Sequence, residues 1–202
     1  MGKKNIMALL AATLIGMSAQ AAELTTGSAA PEFKLTDTKG VEHSLSDFKG
    51  KFVVLEWINH GCPFVVKHYT GGNMQALQKE FTDKGVVWLS ICSSAEGKQG
   101  YMSNEEWNTT TAEKGAAPTA VLIDEDGTVG KSYDARTTPH MYVINPEGTL
   151  IYQGAIDDKK STDAEDIATS ENYVRSALNA AMAGEAVATP QTQAYGCSVK
   201  YK

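Results

Sequence analysis

The sequence predicts an α/β fold with a central mixed β-sheet flanked by helices and an N-terminal β-hairpin. Three observations lead there. Phe52 to Trp57 and Val86 to Ile91 are short, continuous apolar-rich runs, the pattern of strands buried on both faces. The segment between them opens with Pro63 and carries Met74, Leu77 and Phe81 at helical spacing. Further on, Met141 to Ile144 and Thr149 to Gln153 flank Asn145-Pro146-Glu147-Gly148, a turn between two antiparallel strands. Strands joined through a helix run parallel with a right-handed crossover, so the C-terminal ends of both core strands share one edge of the sheet. That edge is where open α/β sheets place their sites.

The remaining elements follow in order. Phe33 and Leu35 alternate with polar residues, Lys39-Gly40 marks a turn, and Val41 to Leu45 runs back as the hairpin partner. Pro63 suits a first helical position, because the N–H it lacks would have no partner there. Gly71-Gly72 breaks this helix, which resumes at Met74 and ends at Asp83-Lys84-Gly85. Ser103 and Glu106 form a capping box that starts a helix carrying Trp107. Ala120 to Ile123 is a short strand, and Asp126-Gly127 turns into a helical segment ending near Tyr133. Ser170 is expected to cap a last helix with Tyr173, Val174, Ala177 and Leu178 inward. Residues 184–202 show no helical or strand period and are expected to lie over the surface as a tail carrying Cys197.

With 202 residues, 42% of them hydrophobic, the chain suits one compact domain. Residues 1–21 combine Lys3 and Lys4, an apolar run from Ile6 to Met17, and a small-residue end at Ala19-Gln20-Ala21. That is the make-up of a secretory signal peptide, leaving a domain over 22–183 followed by the tail. The apolar run is shorter than the roughly 20 residues a bilayer crossing needs. No cysteine follows the expected cut, so a lipid anchor is not indicated, and the destination is the periplasm or the exterior. The net charge is −6 with the basic residues scattered, which excludes nucleic acid as a partner class.

All three cysteines, Cys62, Cys92 and Cys197, lie in the exported part. An odd number permits at most one internal bridge. Cys62 follows the first core strand and directly precedes Pro63. Free N–H groups and the helix dipole there favour an anion, which lowers a thiol's pKa and makes it a nucleophile. Glu56 is a charged residue inside the same apolar strand. Burial would raise its pKa and suit it to proton transfer. His60, His68 and His140 fall in the same region.

The segments GSAAPEFKLTDTKGVEHSLSDFKGKFVVLEW, NHGCPF and RTTPHMYVINPEGTLIYQGAID, in that order, resemble the redoxin group of the thioredoxin superfamily over about residues 27 to 183. That group takes in alkyl hydroperoxide reductases, thiol-specific antioxidants and exported thiol reductases. The resemblance implies a thioredoxin-like fold, makes Pro139 the family's cis-proline facing the active cysteine, and calls for no cofactor. Two departures qualify it. In a C-x-x-C reductase the first cysteine would stand at Asn59. In a peroxiredoxin-like reading, the usual proline and threonine seven and three residues before the cysteine are Leu55 and Asn59, and the usual arginine falls near Pro139, with Arg136 three residues earlier. The chain thus resembles a peroxiredoxin-like member that kept the nucleophile and lost its peroxide-activating neighbours.

The expected activity is thiol-based oxidoreduction, Cys62 acting on a peroxide or on a protein's disulfide, with an external reductant closing the cycle. A second thiol must then resolve the oxidised Cys62. Cys197 is the first candidate, and Cys92, at the end of the neighbouring parallel strand, is the alternative. A reading of another class makes the chain a copper-binding carrier using Cys62 with His60, His68 or His140, since thiolate and imidazole suit copper. A third makes it a binding module without catalysis.

Overall fold

The computed structural model describes residues 24–202. The expected signal peptide lies outside the described residues. Among the described residues nine strands and five α-helices follow in order: β1 (Lys34–Asp37), β2 (Glu42–Ser44), β3 (Val53–Trp57), α1 (Pro63–Thr70), α2 (Asn73–Thr82), β4 (Val87–Cys92), α3 (Asn104–Glu113), β5 (Ala120–Ile123), α4 (Thr128–Ser132), β6 (Thr137–Thr138), β7 (His140–Ile144), β8 (Leu150–Gly154), α5 (Tyr173–Met182) and β9 (Cys197–Ser198). Seven strands form one sheet in the order β2-β1-β5-β4-β3-β7-β8. β3, β4 and β5 are parallel, while β7 lies antiparallel to β3 with Trp57 opposite His140. This is the mixed, thioredoxin-like sheet with an N-terminal hairpin that the sequence led to.

Alternation along the strands divides the core into two layers, as the two-residue period of a pleated strand requires. Val54, Trp88, Met141 and Val143 face α1, α2, α3 and α5. Val53, Leu55, Trp57, Leu89 and Tyr142 pack with Phe33 and Val129 on the other side. Glu56 shares the parity of Val54, so its carboxyl points into the layer beneath α1 and α2. The break between those helices falls at Gly71-Gly72, and Gly72 takes the left-handed conformation (φ 70°) at the start of α2.

Two expectations are corrected. The last helix is capped by Asn172, whose Oδ1 accepts from Arg175 N at 2.9 Å. Ser170 instead ends the preceding 3-10 helix, residues 164–169. The C-terminal tail lies over the surface, but it contains a strand, β9, where the sequence predicts none. Thr192 Oγ1 accepts from Ala155 N (2.9 Å), Cys197–Ser198 pairs with β6, and Tyr201 OH donates to Ala135 O (2.7 Å). It crosses the sheet edge where β3 and β4 end.

Candidate active site

Cys62 is the N-cap of α1, with Pro63 in the first turn. The turn that delivers it is made by Asn59. Its Oδ1 accepts from Gly61 N (2.8 Å), its Nδ2 donates to Gln99 O (3.2 Å), and its carbonyl accepts from Cys62 N (2.9 Å). Asn59 is therefore the residue that forms this turn. Measured from the helix cap, a second thiol two residues further on than Pro63 would stand at Val65, which is buried.

The sulfur of Cys62 is fully buried (0% exposed) beneath the tail. It donates to Thr138 O at 3.0 Å, and Cys197 N donates to it at 3.3 Å. The Thr138-Pro139 bond is cis, and Thr138 pairs with Cys197 across β6 and β9. Cys62, the cis-proline and Cys197 are thus gathered on one edge. Burial pushes the Cys62 thiol up, but hydrogen bonds from the Cys197 thiol, Cys197 N–H and Val65 N–H outweigh it and hold the pKa below its ordinary value. Cys197 is pushed up to about 11 by burial and by its neighbour. Cys62 is thus the more acidic thiol of the pair, the asymmetry that thiol–disulfide exchange exploits.

The close approach depends on Gly196. Its φ is +144°, and a Cβ there would run into Thr138 O, with Thr138 C at 2.7 Å. Only a residue without a side chain lets the tail backbone lie this near the cis-proline.

Cys92 ends β4 as expected, but its Sγ contacts Gly100 O at 3.5 Å beneath the 95–101 loop, and burial raises its pKa. Glu56 is wholly buried and accepts from Tyr69 OH (2.9 Å), Gln78 Nε2 (3.1 Å), Trp88 Nε1 (2.8 Å) and Ser90 Oγ (3.0 Å). Desolvation outweighs these donors and raises its pKa. Its partner Tyr69 stands seven residues beyond Cys62, roughly 10 Å along the helix axis. The carboxyl therefore ties α1, α2 and β4 to β3 and reaches the thiol only through the helix.

The histidines do not converge. His60 packs on Tyr69 and Trp107, at centroid distances of 4.9 and 5.2 Å. His68 Nδ1 bonds Asn73 Nδ2 (2.9 Å), and His140 Nδ1 lies 3.0 Å from Tyr142 OH. Burial lowers each to about 4, so all are neutral at pH 7. Among the described residues no group of three His, Cys, Asp or Glu side chains is arranged to hold a metal ion. Arg136 pairs its guanidinium with Asp134 at 2.6 Å.

Residues 26–153 match the AhpC/TSA family, well over half of the chain. The chain belongs to the AhpC/TSA family. The chain is 31% identical over 130 residues to the thiol-disulfide oxidoreductase ResA of Bacillus subtilis, covering 63% of this chain and 66% of that protein. It is 29% identical over 136 residues to the thioredoxin-like protein YneN of the same organism, covering 66% of this chain and 75% of YneN. The chain spans about two thirds of the length of ResA. An uncharacterized conserved protein from Geobacillus kaustophilus superposes with a TM-score of 0.75 at 30% identity, covering 88% of this chain and 93% of the other. A hypothetical protein from Sinorhizobium meliloti shares the fold with the same TM-score, 0.75, at 24% identity over 90% of this chain and 97% of its own. Cys62 and Pro139 fall inside the segment matched by the AhpC/TSA family. Cys92 falls inside it as well, and Cys197 falls outside it.

Sequence reasoning missed Thr138, whose carbonyl receives the Cys62 thiol, and the cluster of Lys67, Asp157 and Tyr195 that seats the tail. The tail did carry a signal. Tyr195, Cys197, Val199 and Tyr201 alternate, and Tyr195, Cys197 and Val199 pack against the core.

Proposed function

We propose that the protein is a thiol–disulfide oxidoreductase in which Cys62 is the nucleophile and Cys197 the resolving cysteine. One observation carries this reading: Cys197 N–H donates to the Cys62 sulfur while Cys197 pairs with Thr138, beside the cis-proline. Its AhpC/TSA membership and likeness to proteins named thiol-disulfide oxidoreductases support it.

The substrate class is a disulfide of another protein. With the tail displaced, the Cys62 thiolate attacks one substrate sulfur, a mixed disulfide forms, and the other substrate sulfur leaves and takes a proton. Cys197 then gives up its proton and attacks Cys62 Sγ, releasing the second substrate thiol and leaving a Cys62–Cys197 disulfide. An external dithiol returns two electrons and two protons to reset the site. Pro139 borders the reacting sulfurs, Asn59 holds the turn that presents Cys62, and Glu56 braces the helix behind it. Cys92 takes no part. Action outside the cytoplasm is the companion proposal, supported by the residues 1–21 pattern, and the N-terminal sequence of the mature protein checks it: Ala22 is expected first.

Peroxide reduction is the second reading, favoured by family membership and by the Cys62-Pro63 pair at a helix start. Insulin reduction driven by dithiothreitol, run beside hydrogen peroxide consumption, decides between the two. The parent protein is expected to accelerate insulin reduction, Cys62→Ser to abolish the acceleration, and Cys197→Ser to accumulate a Cys62–insulin mixed disulfide. Full insulin activity in Cys62→Ser would overturn the reading, and rapid peroxide turnover without insulin reduction would favour the second.

A further inference from the structure

Next to the site lies a buried polar cluster that the chemistry above does not use. Asp157 is 1% exposed and Lys67 2%. Lys67 Nζ stands 3.4 Å from Asp157 Oδ2 and donates to Lys159 O at 2.9 Å. His68 Nε2 is 3.9 Å from the same carboxylate oxygen. The other oxygen accepts from Lys159 N at 3.0 Å and from the hydroxyl of Tyr195. Tyr195 is itself buried, its ring packed edge-on against Phe64 with centroids 5.7 Å apart.

Burying an ion pair brings desolvation that the pair's own attraction only partly offsets, so such pairs are better at fixing one arrangement than at adding stability. What this one fixes is legible from its position. Phe64, Lys67 and His68 all belong to α1, the helix whose N-cap is Cys62. Tyr195 is two residues from Cys197. The element that carries the nucleophile therefore also carries part of the socket for the tail, and Tyr195 seats the second thiol from one side while the strand pairing with Thr138 holds it from the other.

We propose that Tyr195 is a positioning residue. Its hydroxyl, bonded to the buried Asp157 carboxylate, latches the tail so that Cys197 is held against Cys62 and closes the nucleophile off from solvent. The bridge-forming half of this inference rests on the pairing proposed above, and the covering half does not.

The test compares Tyr195→Phe, which keeps the ring on Phe64 and removes only the hydroxyl, with Tyr201→Phe, which removes the tail's bond to the uncharged Ala135 carbonyl. Two quantities are read on the full chain: the effective concentration of Cys197 toward Cys62 in a glutathione redox buffer, and the alkylation rate of Cys62 in the reduced protein. Thermal unfolding confirms that both variants fold. A hydrogen bond to a charged group is worth more than one to a neutral group, so Tyr195→Phe is expected to lower the effective concentration about tenfold and to raise the alkylation rate by a similar factor. Tyr201→Phe is expected to change both by less. Parent-like values in folded Tyr195→Phe, or equal effects in the two variants, would overturn the latch. A parent protein that forms no Cys62–Cys197 bridge would refute the pairing instead, and the alkylation rate would still decide whether Tyr195 covers Cys62.

Discussion

Replacing Gly196 by alanine probes the site without touching either cysteine. The new Cβ would run into the Thr138 carbonyl oxygen, come within 2.7 Å of Thr138 C and within 3.3 Å of Pro139 N. All of these are backbone atoms, so no rotamer change relieves the clash. The φ of +144° adds strain of its own, about 1–3 kcal/mol for a non-glycine residue. Strain and clash together amount to about 3 kcal/mol, which shifts the balance between docked and released tail by roughly a hundredfold. The assay is the alkylation rate of Cys62 against pH in the reduced protein, with buried Cys92 as internal reference. Two changes are expected together. The plateau rate rises by up to about two orders of magnitude because the covered sulfur is exposed, and the midpoint departs from the parent's because the burial that raises the thiol's pKa and the Cys197 thiol and N–H that lower it leave together. A folded Gly196→Ala protein with the parent's rate and midpoint would refute the close approach as the reason for glycine there.

Two further predictions concern the buried ionisable groups. Glu56→Ala deprives four buried donors of their acceptor and is expected to destabilise by about 4 kcal/mol, whereas Glu56→Gln keeps most of the network and stays within about 1.5 kcal/mol, both by chemical denaturation. Because the folded pKa of Glu56 is raised, the parent holds its full stability below the unfolded value near 4.5 and loses it as pH rises toward the folded value. The Gln variant should therefore gain on the parent above pH 4.5, by at most about 1.4 kcal/mol per pH unit, and a pH-independent difference would contradict the raised pKa. His60, His68 and His140 have the opposite sign. Lowered from 6.5 to about 4, they contribute stability above pH 6.5 that is lost as pH falls toward 4. Denaturation midpoints should drop steeply between pH 6.5 and 4.5, by several kcal/mol in sum, and a flat profile would show the histidines free to charge in place.

Much of this was readable because local and tertiary signals agreed. The apolar run before Cys62, Pro63 at the helix start, the Gly71-Gly72 break and the Ser103/Glu106 capping box each name one structure, and the sheet follows from their order. The cap of the last helix was misplaced because Ser170 and Asn172 are both good caps, and only the bridge between Asp157 and Asn172 distinguishes them. β6 and β9 are two residues long and have no period to detect. The tail's alternation of Tyr195, Cys197, Val199 and Tyr201 was present, but glycine, serine and lysine between these residues hid it as coil. Lys67 could not have been read as buried. On a helix it has the look of a solvated charge, and its partner Asp157 stands 90 residues away.

The most direct measurement is disulfide mapping by mass spectrometry of the purified protein, alkylated before and after one equivalent of a disulfide oxidant. A Cys62–Cys197 bridge with Cys92 still a thiol is the result the geometry requires. A Cys62–Cys92 bridge, or a Cys62 that stays reduced while Cys197 is oxidised alone, would contradict the pairing on which the proposed chemistry stands.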